Sequence, residues 1–257
     1  MKIIVPVKYS LNVYELKIDP STRRPQLEAA TYTLGDIDKN AVEEAIRIKE
    51  KQGGQVIAVC LGPEKAALEL KRALAMGADE AYLITLKDTQ YIDTRTTSKI
   101  LAKFISDKLK EFDLIICGEL SLDGISGQIG PRLAELLGIP IITHVRRIIS
   151  LGDGKIVVER DAGDSYETVE TTLPAIITVT KEINEPRIPS LRMIMLARKK
   201  PLHKIALDEL MKPEGNTIDI ISIEAPKMER KKIIIKEENI DEAVKKLVEY
   251  LRKEGVI

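Results

Sequence analysis

The sequence predicts an α/β fold: a mainly parallel sheet with helices on both faces, then an antiparallel meander and a long C-terminal arm ending in a helix. Three observations carry this. Nearly continuous apolar runs (IIVPV, VIAVCL, LIICG) alternate with helical patterns in the first half, as strands covered on both faces of a parallel sheet require. After about residue 145 the runs change to polar–apolar alternation broken by Gly152–Gly154 and Gly163–Asp164, the pattern of a meander. Beyond residue 181 comes a Pro-punctuated stretch, INEPRIPSLRMIMLARKKP, and helical periodicity returns only near the C-terminus.

Taken in order, residues 2–7 form the first strand. Residues 38–51 carry Ala41, Ala45 and Ile48 at helical spacing, and Gly53-Gly54 stops that helix. A second strand, 56–61, leads into a helix over 63–76 closed by Gly77, and a third strand spans 80–86. The segment 94–110 places Ile100, Leu101, Phe104, Ile105 and Leu109 on one helical face. A fourth strand at 113–117 precedes a helix over 126–137 stopped by Gly138, and a fifth strand covers 140–143. The meander takes 145–150, 155–160 and 166–172, while the apolar run 175–179 rejoins the main sheet. A terminal helix over 240–251 aligns Ile240, Ala243, Val244, Leu247, Val248 and Leu251 in one stripe. Residues 1–182 are thus read as one α/β domain including the meander, and 183–257 as a loop and arm. The Lys- and Pro-rich stretch 199–232 either lies on its own domain or wraps a partner.

Composition narrows the function. With 257 residues, 44% hydrophobic and 31% charged, the chain can bury a substantial core and is not compositionally disordered. Forty basic and forty acidic residues cancel, which argues against a nucleic-acid partner held by net charge. The N-terminal apolar run is too short for a signal peptide, and no stretch approaches the roughly 20 apolar residues that span a bilayer. Cys60 and Cys117 end Val/Ile-rich runs and read as buried thiols in a reducing compartment; the expected location is the cytoplasm. His144 and His203, without a Cys/His cluster, offer little for a transition metal. Abundant Lys, Glu and Ile with no Trp fit a thermophile.

In open parallel sheets, ligands sit beyond the carboxyl ends of strands where strand order reverses. Three loops qualify: Pro6-Val7-Lys8, Leu61-Gly62-Pro63, and the stretch GELSLDGISGQIGP from Gly118 to Pro131. The glycines of the third let backbone amides approach a ligand, and a helix starting near Ser126 would aim its N-terminal dipole at a phosphate. Ser126 adds a hydroxyl and Gln128 an amide. The plain alternative is a Gly-rich turn with nothing bound. The loop matches neither a Walker A nor a GxGxxG pattern, and the chain has no GxSxG, HExxH or SGGxDS segment. Asp36, Asp38, Glu43 and Glu44 cluster at a helix start, where acids usually serve the cap and dipole rather than catalysis.

Several segments together resemble the β subunits of electron-transfer flavoproteins. They are LAMGADE (Leu74 to Glu80) after Leu61-Gly62-Pro63, DKNAVEEA (Asp38 to Ala45), SLDGISGQIGP (Ser121 to Pro131), and Arg160 to Pro174 with Glu167-Thr168-Val169 before PAIIT. INEPRIPSLRMIM (Ile183 to Met195) followed by Ala197-Arg198-Lys199-Lys200 completes the set. The resemblance implies an adenine-nucleotide-binding, Rossmann-like fold and a heterodimer with a larger α subunit, whose FAD domain swivels to meet dehydrogenases and a quinone or ferredoxin-type acceptor. It also implies a nucleotide on this chain, either AMP or, in electron-bifurcating members, a second FAD. Gly124 and Gly130-Pro131 are closer to the bacterial and bifurcating members and favour FAD.

Carried over residue by residue, the resemblance assigns the nucleotide to Pro6, Lys8, Gly35, Asp36, Ile37, Asp38, Leu61, Asp93 and Thr94. It adds the loop Gly118, Glu119, Leu120, Ser121, Leu122, Asp123, Gly124, Ile125, Ser126, Gly127, Gln128 and Ile129. Leu191, with Met193, would enter an apolar pocket on a dehydrogenase from a base shaped by Asn184, Glu185, Pro186 and Arg187. Asp161 would restrain the swinging domain. Departures fall on the pocket: Gly35-Asp36 replaces Asn-Pro, Ile125-Ser126-Gly127 replaces Asp-Thr-x, and Tyr9-Ser10-Leu11-Asn12 replaces R-x-P-D. From the residues alone, Leu191, Ile194 and Met195 also read as a helix face packed on the chain's own core. Three functions follow: an electron carrier, an NADH-oxidising bifurcating flavoprotein, or, from another class, a stand-alone nucleotide-binding stress-type protein.

Overall fold

The computed structural model describes residues 1–86, 92–212, 215–227 and 231–257. The chain runs β1 (Lys2–Val7), β2 (Tyr9–Leu11), β3 (Tyr32–Leu34), α1 (Asp36–Gln52), β4 (Gln55–Gly62), α2 (Ala67–Met76), β5 (Glu80–Thr85) and α3 (Thr94–Phe104). It continues through β6 (Leu114–Gly118), α4 (Ile129–Leu137), β7 (Ile141–Gly152), β8 (Lys155–Asp161), β9 (Tyr166–Thr172) and β10 (Ala175–Val179). Then come α5 (Leu191–Ala197), β11 (Leu202–Ala206), α6 (Leu207–Leu210) and α7 (Ile240–Lys253).

Among the described residues the main sheet has nine strands in the order β11-β5-β4-β1-β6-β10-β7-β8-β9. It is parallel from β11 to the start of β7 and antiparallel through β7, β8 and β9. Alternate residues of each central strand feed opposite cores. Ile3, Val5 and Val7 of β1 pack with α1 and α2, while Ile4 packs with α3 and α4. Phe104, the last residue of α3, is fully buried and contributes roughly 1.5–3 kcal/mol by leaving water.

Four features differ from the sequence reading. The fifth parallel strand and the first meander strand are one, β7, which pairs parallel with β10 at Ile141 and Ile142 and antiparallel with β8 from Val145 onward. The extra residue of a bulge lies between Ile142 and Val145, where His144 takes φ 56°; that bulge bends the strand and hides its continuity. The helix expected from residue 126 starts at Ile129, because Ile125 (φ 47°) and Gly127 (φ 60°) are left-handed. The helix expected over 94–110 finishes as a π turn at Ile105–Leu109. Finally, β11 extends the main sheet from within the stretch read as arm, pairing with β5 from Leu202↔Ala81 to Ala206↔Thr85. Of the 199–232 stretch, residues 213–214 and 228–230 lie outside the described residues.

Among the described residues no helix is long and apolar enough to cross a membrane. The terminal helix α7 leaves its stripe open, with Ile240, Val244 and Leu247 all exposed.

Candidate functional site

The sheet opens where its strand order reverses. From β1 the chain adds β4 and β5 on one side, then returns to place β6 and β10 on the other. β1 pairs with β4 along its whole length, Lys2↔Gln55 to Val7↔Cys60, but with β6 only at Ile3↔Leu114 and Ile4↔Ile115. Past that point stands Pro6, buried and without an N–H that a neighbouring strand would have to satisfy. The crevice between the carboxyl ends of β1 and β6 is therefore the switch point at which such sheets take ligands.

Asp38, on the first turn of α1, closes the floor of this crevice. Its Oδ2 accepts a hydrogen bond from the Lys8 amide at 2.8 Å. Gly35 and Gly118 are glycines because of it. A Cβ on Gly35 would stand 2.6 Å from Asp38 Oδ2, and one on Gly118 2.7 Å from Oδ1, closer than real side chains approach. Burial pushes the Asp38 carboxyl up to about 6, against the Lys8 amide and ammonium, which pull it down. Asp36 pairs with Lys39 at 2.7 Å, Ile37 is buried, and Leu61, one residue before the end of β4, is half-buried against the α3–α4 core.

Lys8 ties the first loop to the third. Its Nζ donates to Asp123 Oδ1 at 2.6 Å and to Ser121 Oγ at 3.2 Å, and Asp123 Oδ2 accepts from the Leu11 amide at 3.1 Å. Burial raises the Asp123 carboxyl, but the Lys8 bond and charge outweigh it and leave its pKa below the ordinary value. The half-exposed Lys8 ammonium is thus paired with Asp123, and an anion here would also draw on neutral donors.

Those donors lie further along the loop. Gly124 and Ile125 amides both turn back onto the Ser121 carbonyl, and Glu119 is fixed by its amide on Val179 and its carboxylate on His144 Nδ1 at 2.9 Å. Leu120 and Leu122 are half-buried. Gly124 to Gln128 are exposed, and among the described residues the amides of Ser126, Gly127, Gln128 and Ile129 donate to no acceptor of the chain. They run into the first residue of α4, a helix of nine residues whose dipole points the same way. Pro131, in the first turn, has no amide to leave unpaired. Such a row of free amides at a left-handed glycine fits a phosphate or diphosphate. Gly130 lets α4 sit close to β10; a Cβ there would meet Thr178 Cγ2 at 2.4 Å.

Asp93 and Thr94 reach the same loop by a different route. The Asp93 carboxylate caps α3 through the Thr96 amide at 2.7 Å and accepts from both the amide and hydroxyl of Thr217, at 2.6 and 2.7 Å. The amide–carboxylate bond from Thr96 holds its pKa well below the ordinary value, with Thr217 adding to the effect against burial. Its oxygens are occupied by its own chain. Thr94 donates to Gln128 Oε1 at 2.8 Å, linking the starts of α3 and α4, and Arg132 donates to the same oxygen. Sequence reasoning missed Thr217, and no local pattern marks it.

The segment from Asn184 to Arg187 is latched to α1. Asn184 and Asn40 exchange side-chain-to-carbonyl bonds at 3.0 and 2.7 Å, and Asn184 also donates to Glu44. Arg187 bridges Glu50 at 2.6 Å and the nearly buried Glu43 at 2.8 Å; both hydrogen bonds raise its pKa further. The Glu185 carbonyl accepts from Arg47, and Pro186 is half-buried. On this base Ser190 caps α5, leaving Leu191 82% exposed and Ile188 93% exposed while Met193 turns half-inward. Leu191, Ile194 and Met195 do not pack into the chain's own core. Asp161 stands apart, its carboxylate holding the Gly163 amide at the β8–β9 turn.

The fold and crevice define a doubly wound α/β protein with a switch-point site and a latched apolar loop. The chain belongs to the electron transfer flavoprotein family: the electron transfer flavoprotein domain model matches residues 27–210. It is 40% identical to the electron transfer flavoprotein subunit beta of Thermoanaerobacterium thermosaccharolyticum and 39% identical to that of Bacillus subtilis, each over 100% of both chains. It is also 39% identical, over 79% of this chain and 77% of the other, to the caffeyl-CoA reductase-Etf complex subunit CarD of Acetobacterium woodii.

Proposed function

We propose that this chain is the β subunit of a heterodimeric electron-transfer flavoprotein that holds an adenine nucleotide at the β1–β6 crevice. It takes electrons from dehydrogenases and passes them through FAD to an acceptor. The observation that carries the nucleotide is the row of four unpaired amides, Ser126 to Ile129. Gly35, Asp38 and Gly118 keep the crevice floor closed beneath it, and the loops after β1 and β6 are locked together through Lys8. A flavin, when bound, supplies the redox chemistry, and the protein supplies position and electrostatics. Leu191, held out by the Arg187 and Asn184 latches, is the anchor for a dehydrogenase, and the open stripe of α7 is the surface for the larger subunit. Such exposed apolar faces disfavour a stand-alone stress-type protein.

The second reading, FAD on this chain with NADH as its reductant, is favoured by Gly124 and Gly130-Pro131 and by the likeness to the reductase-complex subunit. Co-expression with the larger subunit, purification, and mass spectrometry of the nucleotides released on denaturation test both. One adenine nucleotide per heterodimer beyond the larger subunit's flavin is expected. FAD supports the second reading, AMP alone removes it, and a stable homo-oligomer without bound nucleotide contradicts the whole assignment.

A further inference from the structure

The C-terminal arm crosses the carboxyl edge of the sheet with two anchors. At the first, the Asp93 carboxylate takes both donors of Thr217, and the Asp93 amide donates to Asn216 Oδ1 at 3.0 Å. At the second, Ala225 and Arg23 join through the Ala225 amide and the Arg23 carbonyl at 2.8 Å, and Arg23 also pairs with Glu224 at 3.0 Å. Asp93 caps α3, which packs on one face of the sheet; Arg23 belongs to the excursion leading through β3 to α1 on the other. Between the anchors Ile218, Ile220, Ile221 and Ile223 are exposed, Ile221 at 98%. The arm is thus held by polar bonds at its ends while these apolar side chains stay exposed.

Asp93 is 1% exposed, and two of the donors to its carboxylate, the Thr217 amide and hydroxyl, come from the arm. Its neighbour Thr94 holds Gln128, at the end of the row of free amides. Only two covalently adjacent residues therefore separate the arm from the loop.

We propose that Thr217 is a positioning residue for the nucleotide loop: through Asp93 it sets the start of α3, and through Thr94 and Gln128 it holds the four amides in their phosphate-binding arrangement. This rests on the nucleotide reading above. It couples the arm to the crevice through one chain of hydrogen bonds.

The test uses the purified heterodimer loaded with radiolabelled AMP or, separately, with FAD, chased with excess unlabelled ligand. Thr217 is exposed, so Thr217→Val removes the hydroxyl without a core defect. The expected result is roughly a 3- to 10-fold faster release of label, the scale of one charge-assisted hydrogen bond partly transmitted. Thr217→Ser, which keeps the hydroxyl, restores the wild-type rate. Wild-type release from Thr217→Val, or fast release from both variants, overturns the positioning role. A wild-type heterodimer that retains neither ligand removes the nucleotide reading itself, and this role with it.

Discussion

The carboxylate of Asp38 accepts the backbone amide of Lys8 at 2.8 Å, across 30 positions of sequence. That bond joins the start of α1 to the end of β1, and the two glycines that crowd it, Gly35 and Gly118, come from the loop before α1 and the end of β6. One buried carboxylate therefore organises three chain segments at the point where the strand order reverses.

Burial raises the Asp38 carboxyl from 3.8 to about 6. The folded protein then binds its proton more tightly than the unfolded chain does, so this group's contribution is full below about pH 4 and is lost as pH rises through about 6. The change is on the order of 3 kcal/mol. Urea denaturation of wild type and Asp38→Asn at pH 4 and pH 7 should show the variant gaining relative to wild type at the higher pH. Parallel pH profiles would place the Asp38 carboxyl at an ordinary value.

Gly130→Ala puts a methyl 2.4 Å from Thr178 Cγ2, and overpacking of this kind costs about 1–3 kcal/mol. Thr178→Ser removes that methyl and keeps the hydroxyl that accepts the His144 amide. Thermal unfolding should show Gly130→Ala destabilised and the double variant largely restored.

The main parallel strands were legible because both faces are covered: β1, β4, β6 and β10 are almost unbroken apolar runs. β11 was not, since LHKIA at a sheet edge has no fully buried residue. The start of α4 was misplaced because Ser126 and Gly127 read like a helix opening, whereas Gly127 uses its freedom to stay left-handed outside the helix. Of the site, the Gly-rich loop and the NEPR segment stood out. The roles of Asp38 and Arg187 did not, because an acid at a helix start looks like a dipole partner and an Arg 144 positions from Glu43 carries no local sign of its pairing.

Leu191 is 82% exposed, so Leu191→Ala should leave thermal stability unchanged while slowing electron transfer from a partner dehydrogenase about 10-fold or more. Arg187→Lys cannot bridge Glu43 and Glu50 with one planar fork, so it should lower both stability and transfer. Stopped-flow flavin reduction alongside calorimetry separates the two. Equal transfer rates in wild type and Leu191→Ala would remove the anchor role.

On α7, Leu247→Glu places a charge in the open stripe of Ile240, Val244 and Leu247. The expected outcome is normal folding of the isolated chain and a heterodimer at least about 10-fold weaker, since a charge would be buried unpaired. Sedimentation of mixed subunits measures it, and unchanged affinity would assign this stripe no part in the interface.

The nucleotide site depends on the amides of Ser126 to Ile129, and a crystal structure of the heterodimer with its nucleotide is the most direct test. The expected map has phosphate oxygens within hydrogen-bond distance of at least two of these amides, beside Gly127, between the ends of β1 and β6. A nucleotide bound elsewhere on this chain, or side chains filling that crevice, would contradict it.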